Sequence, residues 1–253
     1  SFLIHGVTNS GKTEVYIRAV KSAIARGKSA IVLVPEIALS SQIAERFSKR
    51  FGKEQVAIMH SKLKTSERLA EWMRIKSGEA KIVVGARTAV FAPTSDIGVI
   101  IIDEEHESTY KSDHNPKFET VDVAFRRSKY HNATLVLGSA TPSIVSYNRA
   151  MDGIYQLIEM KNRIGNSIMP EVQIVDMRDE LRSGNSSIIS RKLLASIAQT
   201  VKDGDQVILF LNRRGFSTQV LCPECGYIMM CPDCDITLTY HKKENAAICH
   251  YCG

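Results

Sequence analysis

The sequence predicts an α/β fold: a parallel sheet with helices on both faces, followed by part of a second α/β unit and a small metal-binding segment. Three observations predict it. Apolar runs such as residues 29–35 and 97–102 are too continuous for strands with one wet face, so both faces of the sheet must be covered. Stretches with helical apolar spacing alternate with those runs, which makes the strands parallel. All 6 cysteines lie between Cys222 and Cys252, as three Cys-x-x-Cys pairs.

In chain order, Phe2-Leu3-Ile4-His5 reads as a short buried strand. Residues 13–25 form a helix whose stripe is Val15/Tyr16, Ala19/Val20 and Ala23/Ile24. A strand at 29–35 precedes a helix from about Ser40 with Ile43, Ala44 and Phe47 on one face. Residues 56–59 form a strand, and Ser66 can cap a helix carrying Leu69, Trp72 and Met73. Strands follow at 81–85, 97–103 and 135–138. The first domain is expected to end at 157, with a linker over 158–170 that includes the polar stretch from Asn162. A second α/β unit over 171–221 opens with a strand at 172–175, a helix at 190–201 and a buried strand at 206–211. Residues 222–253 are the metal segment.

Gly6-Val7-Thr8-Asn9-Ser10-Gly11-Lys12-Thr13 matches the P-loop pattern, between a strand and a helix as that motif requires. Such a turn aims backbone N–H groups and the positive end of a helix dipole at one point, where a phosphate binds. Lys12 is expected to reach the β- and γ-phosphates of ATP, and Thr13 to hold Mg2+. The strand Val99-Ile100-Ile101-Ile102 then delivers Asp103-Glu104-Glu105-His106 to the carboxyl edge of the sheet, where ligand sites lie in open α/β folds. There Asp103 shares the Mg2+ with Thr13, and Glu104 orients and deprotonates water. Gly138-Ser139-Ala140-Thr141-Pro142-Ser143 ends another apolar strand.

These motifs, with Val34-Pro35-Glu36-Ile37-Ala38-Leu39, Leu211-Asn212-Arg213-Arg214-Gly215-Phe216 and the cysteine pairs, closely resemble the PriA family of superfamily-2 replication-restart helicases. The resemblance runs from residue 6 to residue 253, with one departure: Asn9 stands where the family usually has glycine. Asn tolerates left-handed backbone angles better than most residues, so the loop should still work. The resemblance implies RecA-like domains and an ATP-driven 3′-to-5′ DNA helicase acting in replication restart and primosome assembly. Implied partners are single-stranded and forked DNA, primosome proteins and a single-stranded-DNA-binding protein. His106, Ser139 and Thr141 would couple the nucleotide site to DNA. Pro35, Arg87 and Thr88 would grip the DNA backbone, and Arg213 would add a phosphate contact. Tyr110, Lys111 and Lys117 interleave aromatic and basic groups as base stacking beside phosphates requires. Without the family, the same residues also read as cap, turn and solvated-loop positions.

Each Cys-x-x-Cys pair can offer two thiolates to one tetrahedral Zn2+. Clustered cysteines in a chain with no secretion signal favour metal over disulfides. The resemblance nests the pairs, so that Cys231, Cys234, Cys249 and Cys252 complete one zinc site while Cys222 and Cys225 half-build a second. His241 and His250 are possible stand-in ligands but read more simply as loop histidines. The net charge of +6 permits a nucleic-acid partner without requiring one. No apolar run spans a membrane, and a cytoplasmic location follows by default. The sequence also reads as a piece of a longer protein whose later motifs include the arginines that complete the ATP site. Residues 1–253 alone are therefore expected to bind nucleotide and hydrolyse it poorly. Two alternatives remain: a RecG-like or restriction-type superfamily-2 translocase, and a zinc-dependent DNA- and protein-binding scaffold with an ATP switch.

Overall fold

The computed structural model describes the chain except residues 36, 113–114, 166–169, 211–219, 221, 223–224, 242–244 and 253; side chains of 37–42 are also left aside. Seven parallel strands form one sheet in the order β3-β4-β2-β5-β6-β1-β7. They are β1 (Phe2–Gly6), β2 (Ser29–Leu33), β3 (Val56–Met59), β4 (Ile82–Gly85), β5 (Ile97–Asp103), β6 (Thr134–Ser139) and β7 (Gln156–Met160). The helices between them are α1 (Lys12–Ala25), α2 (Ile37–Phe51), α3 (Thr65–Ser77), α4 (Thr120–Tyr130) and α5 (Ile144–Met151).

Alternation along each strand fills both faces, because successive side chains point to opposite sides. Val99 and Ile101 pack with Tyr16, Val20 and Ala23 of α1 and with Ala44 and Phe47 of α2. Ile100 and Ile102 pack on the other face with Ile75 of α3, Val121 and Ala124 of α4, and Ala150 of α5. This two-sided burial is why the interiors of the central strands β2, β4 and β5 carry no polar side chains. β5 is central, and its register sets Asp103 beside Gly138 of β6. The acidic turn after β5 and the turn after β6 therefore share one edge of the sheet.

Several sequence expectations need correction. Ser66 lies inside α3 and caps nothing; the Glu67 carboxylate accepts the Lys64 N–H at 2.8 Å instead. Leu69 and Met73 of that helix are more than half exposed, and Ile75 makes the buried contact. The first domain does not end at 157, and residues 158–160 are not linker. β7 runs to Met160 as the strand beside β1, and the first compact unit extends to Met169.

The second unit comprises Pro170–Gly253. Here α6 (Met177–Arg182) starts at Asp176, whose carboxylate accepts the Arg178 N–H, and α7 (Arg191–Lys202) starts at Ser190, whose hydroxyl accepts the Leu193 N–H. The strands expected at 172–175 and 206–211 are absent among the described residues, and residue 211 lies outside them. A buried strand requires partners on both edges. Ile174 is instead 95% exposed and Ile208 93% exposed. β8 (Thr239–His241) and β9 (Ala246–Ile248) form an antiparallel hairpin among the cysteines.

Candidate nucleotide site and metal centre

The loop from β1 to α1 curls as the P-loop pattern requires. Gly11 has φ of 94° and Asn9 a φ of 64°, so the residue that replaces the family's glycine does adopt the left-handed conformation. A Cβ on Gly6 would press on Ser10 Oγ and Lys12 Cγ, and one on Gly11 would press on Ile164. The packing of the loop against these side chains thus depends on glycine at both positions. After β7 the chain returns over this loop: the Val7 N–H donates to Met160 O at 3.2 Å and the Ile164 N–H to Asn9 O at 2.9 Å. Sequence spacing gave no sign of this closure.

Lys12 is buried, and its Nζ donates to Gly6 O at 2.7 Å while standing 3.7 Å from Glu104 Oε1. The Tyr16 phenol donates to Asp103 Oδ1 at 2.9 Å. Burial raises the Asp103 carboxyl above its ordinary range; the carboxylate-facing Tyr16 hydroxyl opposes the rise, Glu104 adds to it and Lys12 opposes it. Burial, then the charge of Asp103, pushes the Tyr16 phenol far up, so it stays a donor. Glu104 has φ of 46°, a strained angle for a non-glycine residue that turns its side chain off the strand direction toward Lys12.

Thr13, Lys12, Asp103 and Glu104 line one cleft of about 740 Å3, which Arg46 and Arg50 of α2 border. The cleft suits a nucleoside triphosphate with a divalent cation. The Ser10 hydroxyl is buried with no hydrogen-bond partner among the described residues, and an unsatisfied donor inside a phosphate-sized cradle favours an anion there. Thr13 and Asp103, both on the cleft wall, offer hard oxygen atoms of the kind that suit Mg2+.

Next to the cleft, His106 Nδ1 lies 2.7 Å from Ser139 Oγ, and Nε2 lies 3.4 Å from Thr141 Oγ1. The Ser139 hydroxyl also accepts the Thr141 N–H at 2.9 Å. The three residues singled out for coupling therefore form one hydrogen-bonded set between the turns after β5 and β6.

The residues singled out for DNA contact divide. Tyr110 cannot stack on a base. Its ring is 2% exposed in the core, its hydroxyl donates to Asp103 O at 2.8 Å, and its own carbonyl accepts the Thr120 hydroxyl at 2.7 Å. It ended up inside because the turn at Ser108–Tyr110 folds its ring under β5. Arg87 is half-buried, donates to Lys111 O, and stacks over Phe118 at 5.9 Å, bracing that loop. Thr88, Lys111 and Lys117 are exposed, with Lys111 3.9 Å from Glu119. Pro35 O accepts the Thr109 hydroxyl at 3.3 Å. Arg213, like Arg214, lies outside the described residues.

In the second unit the Sγ atoms of Cys231, Cys234, Cys249 and Cys252 all lie within 4.8 Å of one another, with Cys231 and Cys252 3.6 Å apart. Zn–S bonds of about 2.3 Å in a tetrahedron set sulfurs roughly 3.8 Å apart, so the cluster fits zinc. Backbone N–H groups of Cys252 and Tyr251 lower the Cys249 thiol to about 7, toward the thiolate a metal needs. Cys222 and Cys225 stand outside this cluster. His241 and His250 also stand outside it, with their Nε2 atoms 3.0 Å apart.

Comparison with known proteins agrees with this geometry. Residues 1–149 match the model of the DEAD/DEAH box helicases, and residues 231–253 match the PriA DNA helicase Cys-rich region domain. The chain is 51% identical over its whole length to the replication restart protein PriA of Bacillus subtilis, and 44% identical to that of Treponema pallidum. It spans 31% and 38% of those proteins, about a third of their length. Among solved structures it resembles RecG bound to a three-way DNA junction, with a TM-score of 0.53 and 23% identity over 80% of this chain and 25% of that one. The helicase domain of Pyrococcus furiosus Hef matches at a TM-score of 0.50 and 17% identity, over 81% of this chain and 51% of that one. At those identities the likeness is one of fold. The chain belongs to the DEAD/DEAH box helicase family, and the curated relatives that match it along its own whole length are replication restart proteins PriA.

Proposed function

We propose that the chain carries the ATP-driven motor of a 3′-to-5′ DNA helicase, acting in replication restart and primosome assembly in the cytoplasm. The observation that carries this reading is the meeting of Lys12, Thr13, Asp103 and Glu104 in one cleft. Lys12 exchanges the Gly6 carbonyl for a phosphate oxygen. The P-loop N–H groups and the α1 dipole hold the rest of the phosphate tail. A Mg2+ held by Thr13 and Asp103 would supply positive charge to the β- and γ-phosphate oxygens. Tyr16 fixes the Asp103 carboxylate, and Glu104 takes the proton of the attacking water. His106 bears on Ser139 and Thr141, so a shift at Glu104 reaches the turn after β6.

In this proposal the exposed Thr88, Lys111 and Lys117, with Pro35 and Arg213, contact the backbone of single-stranded or forked DNA. Phosphate contacts of that kind position a strand without reading its sequence. The four-cysteine segment holds Zn2+, which supplies folding energy where few apolar groups exist, and it meets DNA, primosome proteins or a single-stranded-DNA-binding protein. The names of the curated relatives support the restart role. The test, made with this chain inside a protein of its relatives' full length, is ATP hydrolysis with and without single-stranded and forked DNA, together with unwinding of 3′-tailed and 5′-tailed duplexes. The proposal expects DNA stimulation and unwinding of the 3′-tailed substrate; stimulation without directional unwinding would leave a scaffold with an ATP switch.

A further inference from the structure

Glu105 sits between two residues with assigned work and has none of its own in the nucleotide cleft. It is 5% exposed. Its carboxylate accepts the Ser143 N–H at 2.7 Å, the Ser143 hydroxyl at 3.1 Å and the Ser146 hydroxyl at 2.8 Å. Ser143 is also the N-cap of α5, its own oxygen accepting the Ser146 N–H at 3.2 Å. The backbone N–H of Glu105 donates to Gly138 O at 3.1 Å.

The turn after β5 therefore grips residues 138–146 at three successive points: Gly138 through the Glu105 backbone, Ser139 and Thr141 through His106, and Ser143 and Ser146 through the Glu105 carboxylate. No cation lies within ion-pair distance of Glu105 among the described residues. A buried carboxylate held only by N–H and hydroxyl donors is costly unless every oxygen is satisfied. Here the donors come from a single segment, so the acid can hold that segment and nothing else.

We infer that Glu105 is a positioning residue for coupling: it keeps residues 139–143 in register with His106, so that nucleotide binding at Lys12 and Glu104 alters DNA binding. His106 alone bears on two side-chain hydroxyls, at Ser139 and Thr141. Glu105 fixes the far end of the same turn to a helix, which gives His106 something rigid to push against. This inference rests on the motor proposal. A glutamine at the position keeps the shape and one acceptor, but it turns an NH2 toward two serine hydroxyls that now donate.

The test is a thermodynamic cycle. Single-stranded DNA affinity is measured with and without a non-hydrolysable ATP analogue and Mg2+, giving the factor by which one ligand changes the affinity for the other. Glu105→Gln is expected to lower that factor about tenfold, the equivalent of one hydrogen bond to a charged group, while analogue affinity alone stays within about twofold. Ser146→Ala removes one of the three bonds from the other side and is expected to lower the factor less. A purely structural role for Glu105 would lower the melting temperature and leave the factor unchanged, and that result overturns the inference. If Glu105→Gln does not fold, an unchanged factor in Ser146→Ala overturns it equally. A factor of 1 in the unsubstituted protein would instead defeat the motor proposal, and this inference with it.

Discussion

The hydroxyl of Tyr16, on the second turn of α1, donates to the carboxylate of Asp103 at the tip of β5, 2.9 Å away. The bond joins the helix that follows the P-loop to the strand that presents the acids. It offsets part of the burial that raises Asp103. A raised folded-state pKa means the folded chain holds this proton more tightly than the unfolded one, so on its own Asp103 costs stability as pH rises above the ordinary carboxylate range. Metal binding runs the other way, because Mg2+ needs the ionised acid. Mg2+-dependent nucleotide affinity should therefore fall on acidification at a pH above that of an ordinary Asp. Tyr16→Phe removes the opposing hydrogen bond and should shift that fall to still higher pH. Nucleotide titrations across pH in both proteins check this; superimposable profiles would contradict it.

Gly138 makes room for that phenol. A Cβ at this position would overlap Tyr16 Oη. Gly138→Ala should cost about 1–3 kcal/mol, read as a lower denaturation midpoint. Adding Tyr16→Phe should recover part of the loss, because the clashing oxygen is gone. Strictly additive effects would show that the two residues do not meet.

Glu104 faces Lys12 from a strained backbone and is the proposed base. Glu104→Gln should still bind ATP and Mg2+ while hydrolysis falls about a hundredfold or more, the range that removal of a general base produces. Retained hydrolysis would move the base elsewhere.

Zinc should stand at one ion per four-cysteine cluster. Cys231→Ala or chelation should abolish it and disorder the β8–β9 hairpin, whereas Cys225→Ala should leave the tight site filled. Metal analysis with amide spectra of residues 229–252 checks both. Loss of all zinc in Cys225→Ala would show that the cysteine pairs are shared differently.

Local chemistry made much of the site legible. A P-loop between a strand and a helix, and an apolar strand ending in Asp103-Glu104, each specify their geometry through nearest neighbours, and the parallel sheet follows from runs such as Ile100-Ile101-Ile102. What escaped was set by long-range contact. Glu105 carried no role in the sequence reading, because its three donors lie some forty residues later, on Ser143 and Ser146. Tyr110 sits among Lys and Ser and resembles a base-stacking aromatic, yet the space beneath β5 takes its ring. The end of β7 looked like linker because it is an edge strand paired with β1 alone, with three of its five residues exposed. The apolar stretches near 174 and 208 carry strand sequences, but without pairing partners among the described residues the pattern does not become a strand.

The most direct test of the central claim is calorimetric titration of ATP in the presence and absence of Mg2+, on the unsubstituted chain and on Lys12→Ala and Asp103→Ala. One shared site predicts Mg2+-dependent binding at a single site, weakened about tenfold or more by either substitution, as loss of a charge-assisted contact requires. Binding that ignores Mg2+ and survives both substitutions would contradict it.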